Sequence, residues 1–168
     1  MKVIMYAAIS IDGFIATEKG DSDWVSEVDA ELFENKIKEV GCLVIGKTTF
    51  EQYRGDLYPV KGVTNIVLTH NNEVKDKDAF FINSPEKIIE LAKKKGHTQM
   101  LLAGGSQLYT SFFEKRLINE IILSVHPIVL GKGIKLLQNN ISMKDLTLNS
   151  VKQLDDGLVQ LNYTAKLR

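Results

Sequence analysis

Cysteine is almost missing from this chain. Cys42 is the only one, which excludes an internal disulfide and a cysteine-based zinc cluster. Net charge is missing too: 21 basic side chains balance 21 acidic ones, for a formal charge of +0. No basic field is therefore available for nucleic acid or an anionic membrane surface, although a local anion site needs only a few donors. No apolar run approaches the roughly 18 residues of a membrane-spanning helix. The start of the chain lacks a signal peptide's cleavage signature, and polar Ser10 and Asp12 follow at once, so a cytoplasmic location is expected. His70, His97 and His126 are far apart and lack metal-type spacing, so no metal site is expected. His97 and His126 read as ordinary surface or interface residues, and His70 as a strand-end group able to meet an anion. The three prolines are scattered, with no Gly/Ser-rich stretch or internal repeat between them. What is present is the profile of an ordinary soluble domain: 168 residues, 44% hydrophobic, expected as one domain over residues 1–168.

Along the chain, strand and helix signals alternate. Residues 3–9 are nearly all apolar, which suits a strand buried on both faces. A polar, glycine-bearing loop follows over 10–23. Ser26-Glu27-Val28-Asp29 resembles a capping sequence, and Val28, Leu32, Phe33, Ile37 and Val40 predict an amphipathic helix over 26–40, ended by Gly41. Residues 42–45 read as a strand, 46–53 as a turn into a short helix, and 65–69 and 79–82 as two further strands. Ser84-Pro85-Glu86 is a strong helix start, and that helix runs to Lys95. Residues 99–103 form a strand, Gly104-Gly105 a sharp turn, 107–115 a helix and 120–125 a strand. Two strands over 146–154 and 158–167, joined by Asp155-Asp156-Gly157, read as a hairpin. The implied fold is three-layer α/β with a mixed, mostly parallel sheet and a C-terminal antiparallel hairpin. Ligands bind such sheets at the carboxyl ends of the strands, which points to the loops 10–24, 46–49, 69–72 and 104–107.

Gly41-Cys42-Leu43-Val44-Ile45-Gly46-Lys47-Thr48 matches the phosphate-loop pattern G-x-x-x-x-G-K-[ST] letter for letter. In that motif the four variable positions form a loop whose N–H groups wrap phosphates. Here they read as a strand preceded by a helix, so a nucleotide triphosphatase is disfavoured. Gly46-Lys47-Thr48-Thr49 and Gly104-Gly105-Ser106-Gln107 are both strand-to-helix junctions, which suit either phosphate contact or simple capping. Gly131-Lys132-Gly133 fails the dinucleotide fingerprint because Leu136 stands where a third glycine belongs. Trp24, the only tryptophan, either walls a pocket for a flat ring or caps the core. Asp29 faces either solvent, stabilising the helix dipole, or a pocket, relaying a proton.

A resemblance emerges from these segments taken in order: Ala7-Ala8-Ile9-Ser10-Ile11-Asp12-Gly13, Asp23-Trp24, Val44-Ile45-Gly46-Lys47-Thr48-Thr49, Asn65-Ile66-Val67-Leu68-Thr69-His70-Asn71, Leu102-Ala103-Gly104-Gly105-Ser106-Gln107-Leu108-Tyr109, and Glu120 through His126-Pro127 into Leu130-Gly131-Lys132-Gly133. Together they resemble the dihydrofolate reductase superfamily. Within it they are most similar to the C-terminal reductase domain of the riboflavin biosynthesis deaminase–reductase. The resemblance implies a dihydrofolate reductase-like fold and an NADPH-dependent reductase, with NADH as the other cofactor the residues admit. By position, Lys47 and Thr49 match the family's phosphate contacts at the helix start, with Gly46 and Thr48 as further cofactor-binding residues beside them. Thr69, His70 and Asn71 match the turn that meets the adenosine 2′-phosphate, and Gly104 and Gly105 the glycine pair under the cofactor, with Ala103 beside them as a further cofactor-binding residue. Ser106, Gln107 and Leu108 match the following helix start. Ala8, Ile15 and Ala16 match the nicotinamide edge, with Tyr109 near it, while Trp24 and Ser124 fall to the substrate pocket. Asp29 aligns with the folate enzyme's active-site acid.

Two departures accompany the match. The family often carries an arginine at Lys47 or near His70, and this chain does not; lysine lacks the bidentate fork of arginine. There is also no deaminase domain in the sequence, so the riboflavin substrate is not implied. The expected reaction is hydride transfer to a small, flat, polarised C=N or C=O compound, pterin- or pyrimidine-like, under a lid made of residues 10–24. The alternative is a nucleotide-binding sensor or scaffold without turnover. The riboflavin-type relatives pair as homodimers, so a second copy is the protein partner the resemblance implies; nucleic acid and membrane are not expected.

Overall fold

A computed structural model describes residues 1–70, 76–138, 141 and 145–165. Its ten strands are β1 Lys2–Ser10, β2 Phe14–Ala16, β3 Cys42–Gly46, β4 Thr64–Leu68, β5 Ala79–Ile82, β6 Gln99–Leu102, β7 Glu120–His126, β8 Ile134–Lys135, β9 Leu146–Gln153 and β10 Val159–Ala165. The helices are α1 Glu27–Val40, α2 Lys47–Gln52, α3 Pro85–Lys94 and α4 Ser106–Glu114. Eight strands form one sheet in the order β5-β4-β3-β6-β1-β7-β10-β9. The first six run parallel, while β10 pairs antiparallel to β7 and to β9. The nearly continuous apolar run of β1 is explained by its place: it lies between β6 and β7 with both faces covered.

Helices flank the sheet on both faces. On one, Ile37 and Val40 of α1 and Phe50 of α2 pack with Ile4, Leu43, Ile45, Val67 and Leu101. On the other, Ile88 and Ala92 of α3 and Leu108 and Phe112 of α4 pack with Val3, Met5, Val44, Ile66 and Leu102. Phe50 and Phe112 are fully buried, each stabilising the fold by about 1.5–3 kcal/mol relative to an exposed ring. Burial also pushes the Cys42 thiol up to about 12.

The caps form where the sequence places them. The Ser26 hydroxyl accepts from Asp29 N–H at 3.2 Å, and Gly41 closes α1 at φ +70°. Ser84 caps α3, with Pro85 in its first turn. Three readings are corrected, and a fourth, the disfavoured phosphate loop, is borne out as disfavoured. The inward stripe of α1 is Asp29, Phe33, Ile37 and Val40, whereas Leu32 is exposed; the helix is rotated so that a carboxylate faces in. The capping pair is one-sided, because Ser26 N–H donates to His126 Nε2 rather than to Asp29. His126 is buried rather than a surface group. The phosphate-loop match is a coincidence of letters: Gly41 caps α1, and residues 42–46 are a sheet strand paired with both β4 and β6.

One feature escaped the periodicity. Within the 10–24 loop, β2 pairs with β8 to form a second, two-stranded sheet. Asp12 carboxylate oxygens accept from Leu130 N–H (3.1 Å) and Gly131 N–H (2.7 Å). Gly133 packs so closely that a Cβ there would run into the Ala16 carbonyl oxygen. Among the described residues, no helix is long and apolar enough to cross a membrane.

Candidate active site

A cleft of about 980 Å³ opens at the carboxyl ends of β1, β3, β4 and β6, a size suited to small-molecule sites. Its first end is made of backbone. Gly46, the last residue of β3, donates its N–H to the Gly104 carbonyl at 2.7 Å. A Cβ on Gly46 would lie 3.3 Å from Gly105 N, and one on Gly105 would lie 3.1 Å from Thr49 Oγ1. Gly104 has φ +108° and is joined to Gly105 by a cis peptide bond. A side chain at Gly46 or Gly105 would crowd the facing junction, and the glycines leave peptide groups facing the cleft. Lys47 opens α2, with Nζ 3.6 Å from Glu51, and Ser106, Gln107 and Leu108 bring the unpaired first N–H groups of α4. Thr69 and His70 close this end beyond β4.

The second end is made of side chains. Asp29 is 1% exposed, and one of its oxygens, Oδ1, accepts from the Tyr6 hydroxyl at 2.7 Å and the Ser124 hydroxyl at 2.6 Å. Gln160, on β10, donates its amide to both hydroxyls, at 3.1 and 3.2 Å. That turns both O–H groups toward the carboxylate. Burial first, then the Asp29 charge, pushes the Tyr6 hydroxyl well above its ordinary pKa. Behind Asp29 stands His126, whose Nε2 accepts from Ser26 N–H at 3.2 Å and whose Nδ1 lies 3.3 Å from the Ser124 carbonyl. This network assigns the ring proton to Nδ1, so the 3.8 Å approach of Nε2 to Asp29 Oδ2 is not a hydrogen bond. Trp24 packs edge-on against His126, centroids 5.2 Å apart, and its Nε1 is buried without a partner.

Of the residues singled out in the sequence, Ala8, Ile15, Ala16, Gly46, Lys47, Thr48, Thr49, Thr69, His70, Ala103, Gly104, Gly105, Ser106, Gln107, Leu108, Tyr109 and Asp29 line this one cleft. Asn71 lies outside the described residues. Tyr109 is fully enclosed, its hydroxyl donating to the Tyr6 carbonyl at 2.5 Å and thereby tying α4 to β1. Ser124 and Trp24 stand behind the cleft wall rather than on it: Ser124 reaches the cleft through Asp29, and Trp24 through His126. Sequence reasoning missed Tyr6, Gln160 and His126. The only signal available was local: Tyr6 carries a hydroxyl within an otherwise apolar strand run. Among the described residues, no cluster of potential metal ligands occurs.

The fold and cleft together define a dihydrofolate reductase-like domain. The dihydrofolate reductase from Enterococcus faecalis, solved with NADP(H) and RAB-propyl, matches with a TM-score of 0.78 at 20% identity, over 98% of this chain and 96% of that one. A pyrimidine reductase-like protein from Corynebacterium diphtheriae matches with a TM-score of 0.80 at 14% identity, over 99% and 92%. YwjB of Bacillus subtilis (strain 168) is 31% identical over 170 residues, covering 96% of this chain and 97% of its own. The family model of the RibD C-terminal domain matches residues 1–160. The chain therefore belongs to the RibD C-terminal domain family, whose members are mainly NAD(P)H-dependent reductases.

Proposed function

We propose that this chain is an NADPH-dependent reductase acting on a small, flat heterocyclic or carbonyl/imine compound of pterin or pyrimidine type. The observation that carries this reading is the convergence of the Gly46, Gly104-Gly105 and Thr69 junctions on one cleft whose lining also includes Tyr6 and Asp29. The fit to a dinucleotide rests on the bare-backbone cradle, which a single Cβ would fill, and on a donor set of helix N–H groups, threonine hydroxyls and Lys47. Bound there, the nicotinamide would supply the hydride.

The protein's own residues have three tasks. Gly46, Gly104 and Gly105 let a flat group approach the backbone. Ala8, Ile15 and Ala16 wall the neighbouring edge and exclude water. The Tyr6–Asp29–Ser124 triad, held by Gln160, offers the means to move a proton to the reduced atom.

Titration with NADPH, NADH and ATP, followed by Trp24 fluorescence, tests the reading. Binding of nicotinamide cofactor is expected, with NADPH preferred, and oxidation of bound NADPH across a panel of pterins and pyrimidines should follow. Binding of ATP alone would sink the reductase; NADPH binding without turnover on any member of the panel would favour a sensor.

A homodimer is the assembly we propose. Every residue of β9 is exposed, and its Leu148 and Val151, in register with the half-buried Tyr163 and Leu161, leave apolar surface uncovered. Exposed edges of this kind are normally paired or covered. Sedimentation equilibrium is expected to give twice the 18.8 kDa chain mass, shifting toward the monomer in Val151→Lys.

A further inference from the structure

We propose that Tyr6 sets the class of ring the cleft accepts. By covering one oxygen of Asp29 it makes the carboxylate a single-point acceptor, matched to a planar ring that presents one N–H with no amino group beside it. This deepens the reductase reading and rests on it for the use of the cleft. A carboxylate accepts through both oxygens, about two hydrogen bonds on each, and a pair of parallel N–H donors ordinarily takes one oxygen apiece. At Asp29 the two oxygens are not equivalent. Oδ1 already accepts the Tyr6 hydroxyl at 2.7 Å and the Ser124 hydroxyl at 2.6 Å, which fills it. Tyr6 and Asp29 line the cleft and Ser124 does not, so Tyr6 covers Oδ1 from the cleft and Ser124 covers it from behind.

Oδ2 is the oxygen left over. Among the described residues no hydrogen bond reaches it: His126 Nε2, 3.8 Å away, is turned to the Ser26 N–H. Trp24 Nε1 is the one described side-chain polar atom that is both buried and unpartnered. Oδ2, unpartnered as well, therefore keeps an opening, and the cleft is the space that Asp29 lines. Tyr6 is held in its covering position. Its ring packs against Phe33, centroids 5.2 Å apart, and the Gln160 amide donates to its oxygen at 3.1 Å. That bond occupies the oxygen and turns the O–H toward Asp29. Burial first, then the Asp29 charge, holds the hydroxyl above its ordinary pKa, so it stays a donor. A ring N–H thus finds Oδ2. An amino group on the next ring carbon would face a filled Oδ1 and lose its water without gaining an acceptor.

The test titrates the full chain calorimetrically, with and without saturating NADPH, with pteridin-4-one and with pterin. The two differ only by the amino group that pterin carries next to its ring N–H. The parent chain is expected to bind pteridin-4-one about tenfold tighter, the scale of one donor left unpaired. Tyr6→Phe keeps the ring and uncovers Oδ1, so pterin should gain about tenfold while pteridin-4-one stays within about twofold. Ser124→Ala uncovers Oδ1 only from behind and should leave the ratio as it was. Equal or tighter binding of pterin by the parent chain overturns the proposal, as does binding of neither ring. So does a Tyr6→Phe chain that holds NADPH normally but gains nothing for pterin, or a gain of the same size in Ser124→Ala. Failure of the parent chain to bind NADPH overturns the reductase instead, and a preference for pteridin-4-one measured without cofactor still upholds the selection by Tyr6.

Discussion

At the proposed cofactor end of the cleft the walls are peptide groups, with Gly46 against Gly104 and Gly105 and helix N–H groups beside them. At the substrate end the wall is made of side chains, Tyr6 and Asp29, backed by Ser124 and Gln160, and the four are drawn from three strands and a helix. The backbone end depends on the absence of Cβ atoms and on where strands stop, so it serves any ligand of the right shape and charge. The side-chain end depends on particular donors and acceptors, so it sets which ring reacts and how its proton arrives. A fold that keeps the first and exchanges the second can change substrate without changing cofactor.

Substitutions at the two ends should separate these roles. Gly46→Val is expected to have the largest effect: its side chain meets Gly105 N, and overpacking of this kind costs about 1–3 kcal/mol. NADPH affinity should fall by up to about 100-fold, read by fluorescence titration. An unchanged affinity would show that the glycine junctions do not hold the cofactor. Asp29→Asn should leave NADPH binding within about twofold and lower turnover about 100-fold, within the range of general acid–base groups. Steady-state NADPH oxidation checks this, and full activity would remove Asp29 from the proton path. Gln160→Leu should do least. It removes two hydrogen bonds worth about 1 kcal/mol each without touching the carboxylate, so kcat falls about fivefold and its pH profile moves, while cofactor affinity holds. A change in NADPH binding here would break the division between the ends.

The two ends also differ in how far they could be read in advance. The junctions at Gly46 and Gly104 were legible because a strand run meeting glycine before a helix start is a local pattern, only a few residues wide, whereas Thr69 was singled out through the family resemblance. The caps at Ser26, Gly41 and Ser84 were legible for the same reason. At Asp29 only half the answer was available. The first turn of α1 was evident, but whether its acid faced water or the interior depended on a rotation that Leu32 and Phe33 left open; the helix settled with Phe33 inward and Leu32 out. His126 looked like a surface residue because, apart from the Ser124 carbonyl, the partners of its ring, Ser26 and Trp24, lie 100 residues or more away. The short pairing of β2 with β8 was invisible because two- and three-residue strands carry no period to detect.

The sequence by itself determined the succession of strands and helices, their caps and the glycine junctions, since each follows from propensity, apolar period or backbone freedom over a few neighbouring residues. Only the tertiary structure decided the strand order, with β1 between β6 and β7 and β10 joined to β7. That order brings Tyr6 to Asp29, 23 residues on, Ser124 to Asp29 across 95, and Gln160 to Tyr6 across 154. Such contacts are selected by burial and hydrogen-bond satisfaction of the whole sheet, which no short stretch of sequence encodes.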